Sequence, residues 1–595
     1  MDDRCTVASS SRHEDYCRNP ESFAKQRPRQ AAQHMKAFLE SRNQASLGAY
    51  ALLPSLLKEH HGIEETVLAG GYGYRQILEL VQNGADAILE AQGDERSSSH
   101  GNRIHVVVRD SRLYVANTGA PLSQDGLGAL LSSHSSPKRG NQIGRFGLGF
   151  KSLLRLGGRI DLFTQSSGGI RFDPERCRQE LSVSFSAPEA PGLRLAWPME
   201  EGARRGDSVL DQLAWAETIV RVEVQADEIL EHLRQEIQTF PPEFLLFFPV
   251  PTVLVLDDGE KSAREIRTEP AGGDQLLHDR LEVSRWRVAT REVSVTDARA
   301  IADATHIHAR RSVPLAWAVP LEGRREEAGR FWAFFPTHTP TSLPGILNAP
   351  WKLNSDRNAI IGGEWNTALM VEAARLVADT LPSLTTTADP ARPLDSFPRQ
   401  LERKDDEAAP LVNALWDRLE SAAVIPDVGG ALRSARDLYR HPRDNAELAR
   451  QWQALAGTDA LASVVHPSCL ERQRSSRLNA LAERLRNDDA LDSQLPNLRK
   501  FDAISWFNVA ASRDAPRAIQ VLDLAEAYAN DCKPPEWHTV RPTLAIVPSQ
   551  DGQLVTADRA VFVPAGMHVP DRATVDSSLA ENAEAKTHPH GRDEG

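Results

Sequence analysis

The stretch IGRFGLGFKSLL has the composition of a backbone segment that lies close to a ligand. Its glycines stand at positions 144, 147 and 149, around Phe146 and Phe150. Because glycine has no Cβ, a backbone rich in it can lie directly against a bound group. A helix that begins at such a segment also presents free N–H groups to phosphate. The stretch therefore favours phosphate binding, although a lone glycine loop is only a weak signal.

A second stretch, RQILELVQNGADAILEA, carries an acidic and amide face. At a period of 3.6 residues, Glu79, Asn83 and Asp86 share one side of a helix, and the apolar residues share the side that would pack on a sheet. Gly84 lies on the apolar side, where glycine costs about 1 kcal/mol relative to alanine, so we expect close packing there. The alternative is an ordinary amphipathic helix with a solvated polar face.

A hairpin stands between these two stretches and must position them. The segment RIHVVVRDSRLYVANTGAPL predicts strands Ile104–Val108 and Leu113–Ala116, joined by a turn at Asp110-Ser111. The second strand runs into Asn117-Thr118-Gly119. A glycine loop together with an acidic and amide helix at this separation is far more specific than either feature alone.

These motifs resemble those of the GHKL ATPases, which include DNA gyrase, the Hsp-ninety chaperones, histidine kinases and MutL-type mismatch-repair proteins. The pattern E-x-x-x-N-x-x-D-A, which begins at Glu79, is similar to the N-box of that superfamily. The pattern G-x-F-G-x-G-F-x-S, which begins at Gly144, resembles the second glycine box of Hsp-ninety and sacsin. Over roughly residues 70–225 the chain looks closest to bacterial proteins with a sacsin-like N-terminal ATPase domain.

The resemblance implies ATP and Mg²⁺ as ligands and assigns a role to each residue. Asn83 would hold Mg²⁺ through its side-chain oxygen, Glu79 would orient and deprotonate the attacking water, and Asp86 would support the pocket through hydrogen bonds. Backbone donors of the second glycine box would wrap the phosphates, and these residues are Gly144, Phe146, Gly147 and Gly149. Ser132–Gln142 would form a lid over the nucleotide, with Lys138 able to reach phosphate.

The first glycine box departs from the family pattern D-x-G-x-G, whose aspartate contacts the adenine amino group. Here Asn117 takes the place of the aspartate, Gly119 keeps the first glycine, and Pro121 replaces the second. An asparagine oxygen still accepts a hydrogen bond from the amino group, but the departure leaves base selectivity open. Thr218 would stand for the family's threonine near adenine, although Glu217 replaces the usual glycine before it; a plain strand threonine is the alternative.

A cation from the next domain would complete the site. The stretch LPGILNAPWKLNSDRNAII resembles the middle-domain loop of Hsp-ninety and sacsin relatives, in which a Leu-Asn-x-x-Arg element reaches the γ-phosphate. Arg357 is then the candidate finger and Lys352 a neighbouring alternative, because guanidinium donates to phosphate in bidentate fashion. A structural pairing of Arg357 with a nearby carboxylate such as Asp356 is the competing interpretation. The element argues against a histidine kinase, which uses no such domain.

We expect an α+β protein that begins its enzymatic part with a Bergerat-type ATP-binding α/β sandwich. The expected parts are an N-terminal helical extension over 1–69, the ATP-binding domain over 70–240, a smaller transducer-like α/β middle domain over 241–387, a linker over 388–403, a mostly helical C-terminal region over 404–577 and a disordered tail over 578–595. Within the C-terminal region, the segments that start at positions 423 and 545 resemble each other. Pro426 in the first segment aligns with Pro548 in the second. Each predicts two short strands around a glycine turn, and either duplication or a shared hairpin type explains the likeness.

Composition limits the alternatives. The net charge of −13 argues against a surface that coats nucleic acid without preference, because such binding rests on excess Lys and Arg. Five scattered cysteines without a CxxC pair argue against structural zinc or a disulfide framework and favour a cytoplasmic location. The most apolar run, Phe244–Leu256, is too short to span a bilayer and contains two prolines, so we expect no membrane segment.

The expected function is Mg²⁺-dependent ATP binding and hydrolysis that drives a conformational switch. Its output would be chaperone-like handling of a protein client or the assembly of a larger machine. Two alternatives stay open: a nucleic-acid-linked ATPase of a bacterial defence or repair system, and a nucleotide sensor that does not hydrolyse ATP. Glu79 argues against the sensor, because a degenerate site would be free to lose its base.

Overall fold

The computed structural model describes most of the chain. The described residues are 20–69, 75–92, 101–132, 149–165, 168–200, 202–294, 312–322, 329–354, 356–398, 407–456, 463–471, 473–487, 495–561 and 573–576, with side chains from residue 33 onward except that of Val561. They form two compact units. The first consists of the described residues within Met1–Glu326, Phe331–Thr339 and Ile346–Asn366, and the second of those within Glu327–Arg330, Pro340–Gly345 and Thr367–Gly595.

One large sheet dominates the first unit. Its strands are β1 Arg103–Arg109, β2 Arg112–Asn117, β3 Gly157–Thr164, β4 Gly168–Phe172, β5 Trp197–Pro198, β6 Thr218–Val224, β7 Val253–Asp257, β8 Arg264–Ala271, β9 Asp274–Asp279, β10 Glu282–Ser294, β11 Ser312–Glu322, β12 Arg330–Ala333, β13 Phe335–Pro340 and β14 Ile346–Asn348. Their spatial order among the described residues is β13-β12-β14-β11-β10-β9-β8-β7-β1-β2-β6-β3-β4-β5. The β1–β7 pair is parallel and neighbouring pairs such as β1–β2 are antiparallel, so the sheet is mixed. The mixed α/β class is thereby confirmed.

The helices of the first unit cover the sheet. They are α1 Pro20–Leu52, α2 Ser55–Ala69, α3 Gln76–Glu90, α4 Gln124–Leu131, α5 Pro174–Phe185, α6 Ser208–Gln212, α7 Asp227–Thr239 and the start of α8 Glu364–Thr380, together with 3₁₀ helices Gly149–Leu156 and Pro242–Phe247. One face of β2 packs its Leu113 and Val115 into a core shared with α3 and α7. The other face, with Tyr114 and Ala116, packs beneath α6. The sheet is therefore covered on both faces around β2.

The predicted hairpin is confirmed as β1 and β2. The register pairs Ile104 with Asn117 and Arg109 with Arg112. Asp110 and Ser111 form the two-residue turn with φ values of 50° and 53°, the left-handed geometry that matches the twist of a tight hairpin. This register sets where Asn117 ends the strand.

Helix α3 packs as its period predicts. Ile77, Val81 and Ile88 are fully buried in the core with β1 and β2. A Cβ at Gly84 would lie 3.1 Å from Asn117 Cβ and 3.4 Å from Ile104 Cδ1, a tighter fit than most Cβ contacts, so helix and sheet pack closely at this glycine. The expected reason for a glycine inside this helix is confirmed.

The second unit is mostly helical with short strands. Its helices are the rest of α8, α9 Ala409–Leu419, α10 Ala446–Leu455, α11 Arg474–Arg486, α12 Ala503–Ala510, α13 Ala515–Asp531 and α14 Pro534–Val540, with 3₁₀ helices Leu381–Leu384, Arg392–Ser396, Ala435–Asp437, Pro467–Leu470 and Arg541–Thr543. Its strands are β15 Ala423–Pro426, β16 Leu432–Ser434, β17 Ala545–Pro548, β18 Leu554–Thr556, β19 Ala560–Val561 and β20 Ala573–Thr574. Leu394 and Phe397, within the segment predicted as a linker, are fully buried.

The two similar segments of this unit form the same structure. In both hairpins the proline of the first strand faces the leucine of the second, and each turn contains a glycine with φ of 86° or 76°. A later segment meets each hairpin through one isolated antiparallel bridge, between Asp427 and Val465 in the first copy and between Ser549 and Val575 in the second. The likeness thus extends to a contact outside the segments that resemble each other, which favours duplication over a shared hairpin type.

None of the helices within the described residues combines the length and the apolar composition needed to cross a lipid bilayer. Among the described cysteines, Cys177 and Cys469 are buried, Cys532 is half-buried, and all three are free thiols.

Candidate functional site

Three residues from separate sequence motifs meet at one point of the first unit. The Arg357 guanidinium donates a hydrogen bond of 3.0 Å from Nη1 to Glu79 Oε1, across 278 positions of sequence. Gly149 lies on the other oxygen of the same carboxylate, since a Cβ at position 149 would stand 2.1 Å from Glu79 Oε2. Glu79 is 9% exposed. The N-box acid, the end of the second glycine box and the candidate finger are therefore neighbours.

Local hydrogen bonds give the Arg357 loop its shape. Asn354 Oδ1 accepts the backbone N–H groups of Asn358 at 3.0 Å and Ala359 at 3.2 Å. Arg357 itself adopts a left-handed φ of 55°, and its backbone oxygen accepts a 2.9 Å bond from Arg75 Nη1. The asparagine of the Leu-Asn-x-x-Arg element thus stabilises the turn that orients Arg357. These bonds explain why the asparagine and the arginine are separated by two residues.

The glycine box ends in a 3₁₀ helix, Gly149–Leu156, where the sequence predicts a helix without specifying its type. Ser152 Oγ donates to Gly149 O at 2.7 Å, and Gln76 Nε2 donates to Ser152 O at 3.3 Å. Gln76 and Ser152 are both buried. Helix α3 therefore contacts the 149–156 helix through both Glu79 and Gln76.

The polar face of α3 continues along the helix from Glu79. Asn83 stands one turn further on and is partly exposed, whereas Asp86 is 2% exposed. Among the described residues, no group of three or more His, Cys, Asp or Glu side chains is placed to hold a metal ion. The role of Asn83 as a ligand of Mg²⁺ stays a prediction.

The residues predicted to lie near adenine are also adjacent. Asn117 pairs with Thr218 in the register of β2 and β6, and its Nδ2 donates to Thr118 O at 2.8 Å. Gly119 has φ of 117°, and a Cβ there would lie 2.5 Å from the backbone carbonyl of Ala87. Only glycine allows the chain after β2 to touch α3 in this way. Asn117 and Gly119 therefore both contact the helix that carries Glu79.

The remaining predicted site residues fall outside the described part of the chain. They are Lys138, Gly144, Phe146 and Gly147. The same holds for the predicted lid apart from Ser132. Their roles stay predictions.

Sequence reasoning missed one acidic residue beside the site. Glu236 on α7 accepts the backbone N–H of Leu78 at 3.2 Å, in the first turn of α3, where the N-cap residue Arg75 makes no capping bond of its own. A carboxylate at a helix N-terminus is favoured by the helix dipole. Burial raises the pKa of Glu236 to about 7, although backbone N–H groups of α3 oppose the shift. No local sequence signal marks Glu236, because its partner lies on a distant helix.

Comparison of the chain with protein-family models and with curated proteins finds no match.

Proposed function

We propose that this protein binds ATP with Mg²⁺ in a Bergerat-type GHKL domain and hydrolyses it to drive a conformational switch. The observation that carries the proposal is the meeting of Glu79, Gly149 and Arg357. The sequence singled out each of them for a different reason, and 278 positions separate the acid from the arginine. The contact of two predicted site residues with the carboxylate of a third favours a shared reaction over three unrelated structural roles.

In this proposal Glu79 is the general base for the attacking water. Its carboxylate is held from both sides, by the Arg357 guanidinium and by the backbone at Gly149. A base fixed in this way keeps the geometry that proton abstraction requires. Arg357 would bind the γ-phosphate, because a guanidinium stays charged and matches the geometry of phosphate oxygens. The magnesium ion, bound by Asn83, would neutralise charge on the phosphates.

The base of the nucleotide would lie where α3 meets the end of β2. Asn117 is 6% exposed and packs on Gly84, and Thr218 stands opposite it on β6. The pairing supports the idea that both residues contact adenine, with the Asn117 oxygen as acceptor of the amino proton. Because asparagine carries no charge, we expect weaker discrimination between bases than an aspartate would provide.

The test is a comparison of ATP binding and phosphate release by the purified full-length chain. Titration calorimetry should show ATP binding that needs Mg²⁺ and is lost in EDTA. Substitution of Glu79 by glutamine should lower turnover by about 10²–10⁴-fold, the usual contribution of a general base, and leave ATP binding within about threefold. Glu90→Gln, on an exposed position of the same helix, is the matched control and should leave both unchanged.

The possible outcomes distinguish the proposed ATPase from the two alternative functions. Absence of ATP binding by the wild-type chain would contradict the proposal as a whole. Binding without phosphate release would instead indicate a nucleotide sensor. Stimulation of turnover by DNA, measured in a parallel series, would identify the nucleic-acid-linked ATPase.

A further inference from the structure

The N-terminal helix α2 contacts the 149–156 helix directly. Lys151 Nζ lies 3.7 Å from Glu64 Oε1, an ion-pair distance, and Arg155 Nη1 donates to Leu68 O at 3.0 Å. Both residues of α2 belong to the segment predicted as an extension in front of the ATP-binding domain. The extension is therefore in contact with the end of the glycine box.

The ion pair between Glu64 and Lys151 is almost fully enclosed. The side chain of Lys151 is 0% exposed and that of Glu64 is 2% exposed. Glu64 also accepts the backbone N–H groups of Gly192 at 2.6 Å and Leu193 at 3.2 Å, which anchors its carboxylate. A buried charge that loses its partner is strongly destabilised, whereas a buried pair replaced on both sides by neutral groups often is not.

The position of Lys151 bears on the candidate site because it stands two residues after Gly149. A 3₁₀ helix rises about 2 Å per residue, so Lys151 lies on the same turn as the glycine that touches Glu79. A displacement of Lys151 toward water would move Gly149 with it. Displacements of about 1 Å at a reacting group cost up to about 10²-fold in rate.

We propose that Glu64 is a positioning residue for the nucleotide site: it holds Lys151 in the interior and thereby keeps Gly149 against the carboxylate of Glu79. The N-terminal extension is then a part of the site. This inference rests on the proposed ATPase function for its kinetic consequence, while its structural consequence can be measured without nucleotide.

The first measurement is hydrogen exchange of the full-length chain without nucleotide. In Glu64→Gln the amides of residues 149–156 should exchange at least about tenfold faster than in the wild type, because Lys151 is left as a buried cation without its anion. Amides of α8 should exchange as before. The exposed neighbour Glu65 provides the control, and Glu65→Gln should leave both segments unchanged.

The second measurement is turnover in a double-mutant cycle. Glu64→Gln should lower turnover at least about tenfold, and the double variant Glu64→Gln/Lys151→Met should recover most of it, because neither side then carries a buried charge. If Glu64→Gln acted only through a loss of packing, the turnover of the double variant would instead be lower than that of either single variant. That outcome would overturn the inference.

The pH dependence gives a readout that a purely structural role would not produce. The charged and titratable groups around the pair are Tyr50, His60, Cys177 and Arg194. Burial, and next the charge of Arg194, lower the pKa of Lys151 to about 8 in the wild type. Burial moves the pKa of His60 down to about 4 and that of Cys177 up to about 11, so neither titrates between pH 7 and pH 9.

Because the Glu64 carboxylate raises the pKa of Lys151, its loss in Glu64→Gln moves that pKa below the wild-type value of about 8. The deficit in turnover of this variant should therefore shrink as pH rises through the lowered pKa, where Lys151 loses the charge that has no partner. Lys151→Met should show no such recovery. A folded Glu64→Gln variant with wild-type turnover and wild-type exchange at residues 149–156 would refute the positioning role. If the wild-type chain does not hydrolyse ATP, the kinetic part fails with the proposed function, and the exchange experiment still decides whether Glu64 holds the 149–156 helix.

Discussion

Among the contacts between arginines and carboxylates that join distant parts of the chain, two that lie in different units are built differently. Arg474 in the second unit is 1% exposed and donates four hydrogen bonds of 2.7–2.8 Å, two to Asp389 and two to Asp395. Arg357 in the first unit donates to Glu79 at 3.0 Å, with side-chain exposures of 17% and 11%. The first arrangement pairs a buried guanidinium with two bidentate carboxylates that are 36% and 41% exposed, whereas in the second both partners are largely buried.

The difference indicates what each contact is for. A buried guanidinium with two bidentate partners is suited to fixing the packing of the chain, here of residues 389–395 against α11. An acid and an arginine that meet at the end of a glycine box are suited to contact with a ligand. Substitution at the two arginines should therefore affect different properties of the protein.

The largest expected effect is on turnover, at Arg357. Arg357→Ala should lower ATP turnover by about 10³-fold, since a finger arginine contributes about 10³–10⁵ to phosphoryl transfer. The free energy of unfolding should fall by about 1.5–3 kcal/mol, the usual range for a hydrogen bond between charged groups. Steady-state phosphate release and urea unfolding measure the two quantities. Arg205→Ala, at an exposed arginine of the same unit, should change neither turnover nor the free energy of unfolding. If Arg357→Ala has the same turnover as Arg205→Ala, Arg357 takes no part in the reaction.

The next effect concerns the space between Gly149 and Glu79. Gly149→Ala should lower turnover by about 10²-fold, because the new Cβ would stand 2.1 Å from Glu79 Oε2 and displace the carboxylate. The steric cost should appear as about 1–3 kcal/mol of lost stability, the range for overpacking. In a Glu79→Ala background the same substitution should cost almost nothing. Additive stability losses in the four proteins of this cycle would show that the two residues are not in contact in solution.

The smallest of the three effects lies in the second unit. Arg474→Met should reduce the free energy of unfolding of that unit by about 2 kcal/mol, less than for a fully buried pair because Asp389 and Asp395 are 36% and 41% exposed and can be hydrated. ATP turnover well below the melting temperature should stay at the wild-type level. Arg486→Met, at a 58% exposed arginine of the same helix, should cost less than about 0.5 kcal/mol. A large loss of turnover in Arg474→Met would break the contrast between the two contacts.

Local patterns predicted much of the first unit. The two apolar runs that form β1 and β2, the turn at Asp110-Ser111 and the helical period of α3 depend on neighbours within a few positions, and the structure has each of them. The role of Gly84 was also predictable, because glycine inside a helix needs a packing reason. The second unit was predicted less fully: the sequence indicated its two hairpins, but it did not indicate the bridge from each hairpin to a later segment.

Partners of charged residues were the hardest to predict. For Arg357 the nearby Asp356 was an available partner in sequence, and the hydrogen bond to Glu79 depends on how the loop around Asn354 turns. Lys151 resembled any other lysine after a glycine box, yet it is fully buried beside Glu64. Whether a long polar side chain is buried depends on which elements pack over it, and the local sequence pattern does not indicate those elements.

The sequence by itself determined the helix and hairpin that carry Glu79 and Asn117, together with the glycines that permit their close approach, because hydrophobic period and turn chemistry act between near neighbours. Only the tertiary structure decided that Arg357 meets Glu79 and that Glu64 holds Lys151. Those contacts close loops of 278 and 87 positions. Many charged residues along the chain could satisfy the same electrostatics, and the packing of the sheet against its helices selects which of them meet.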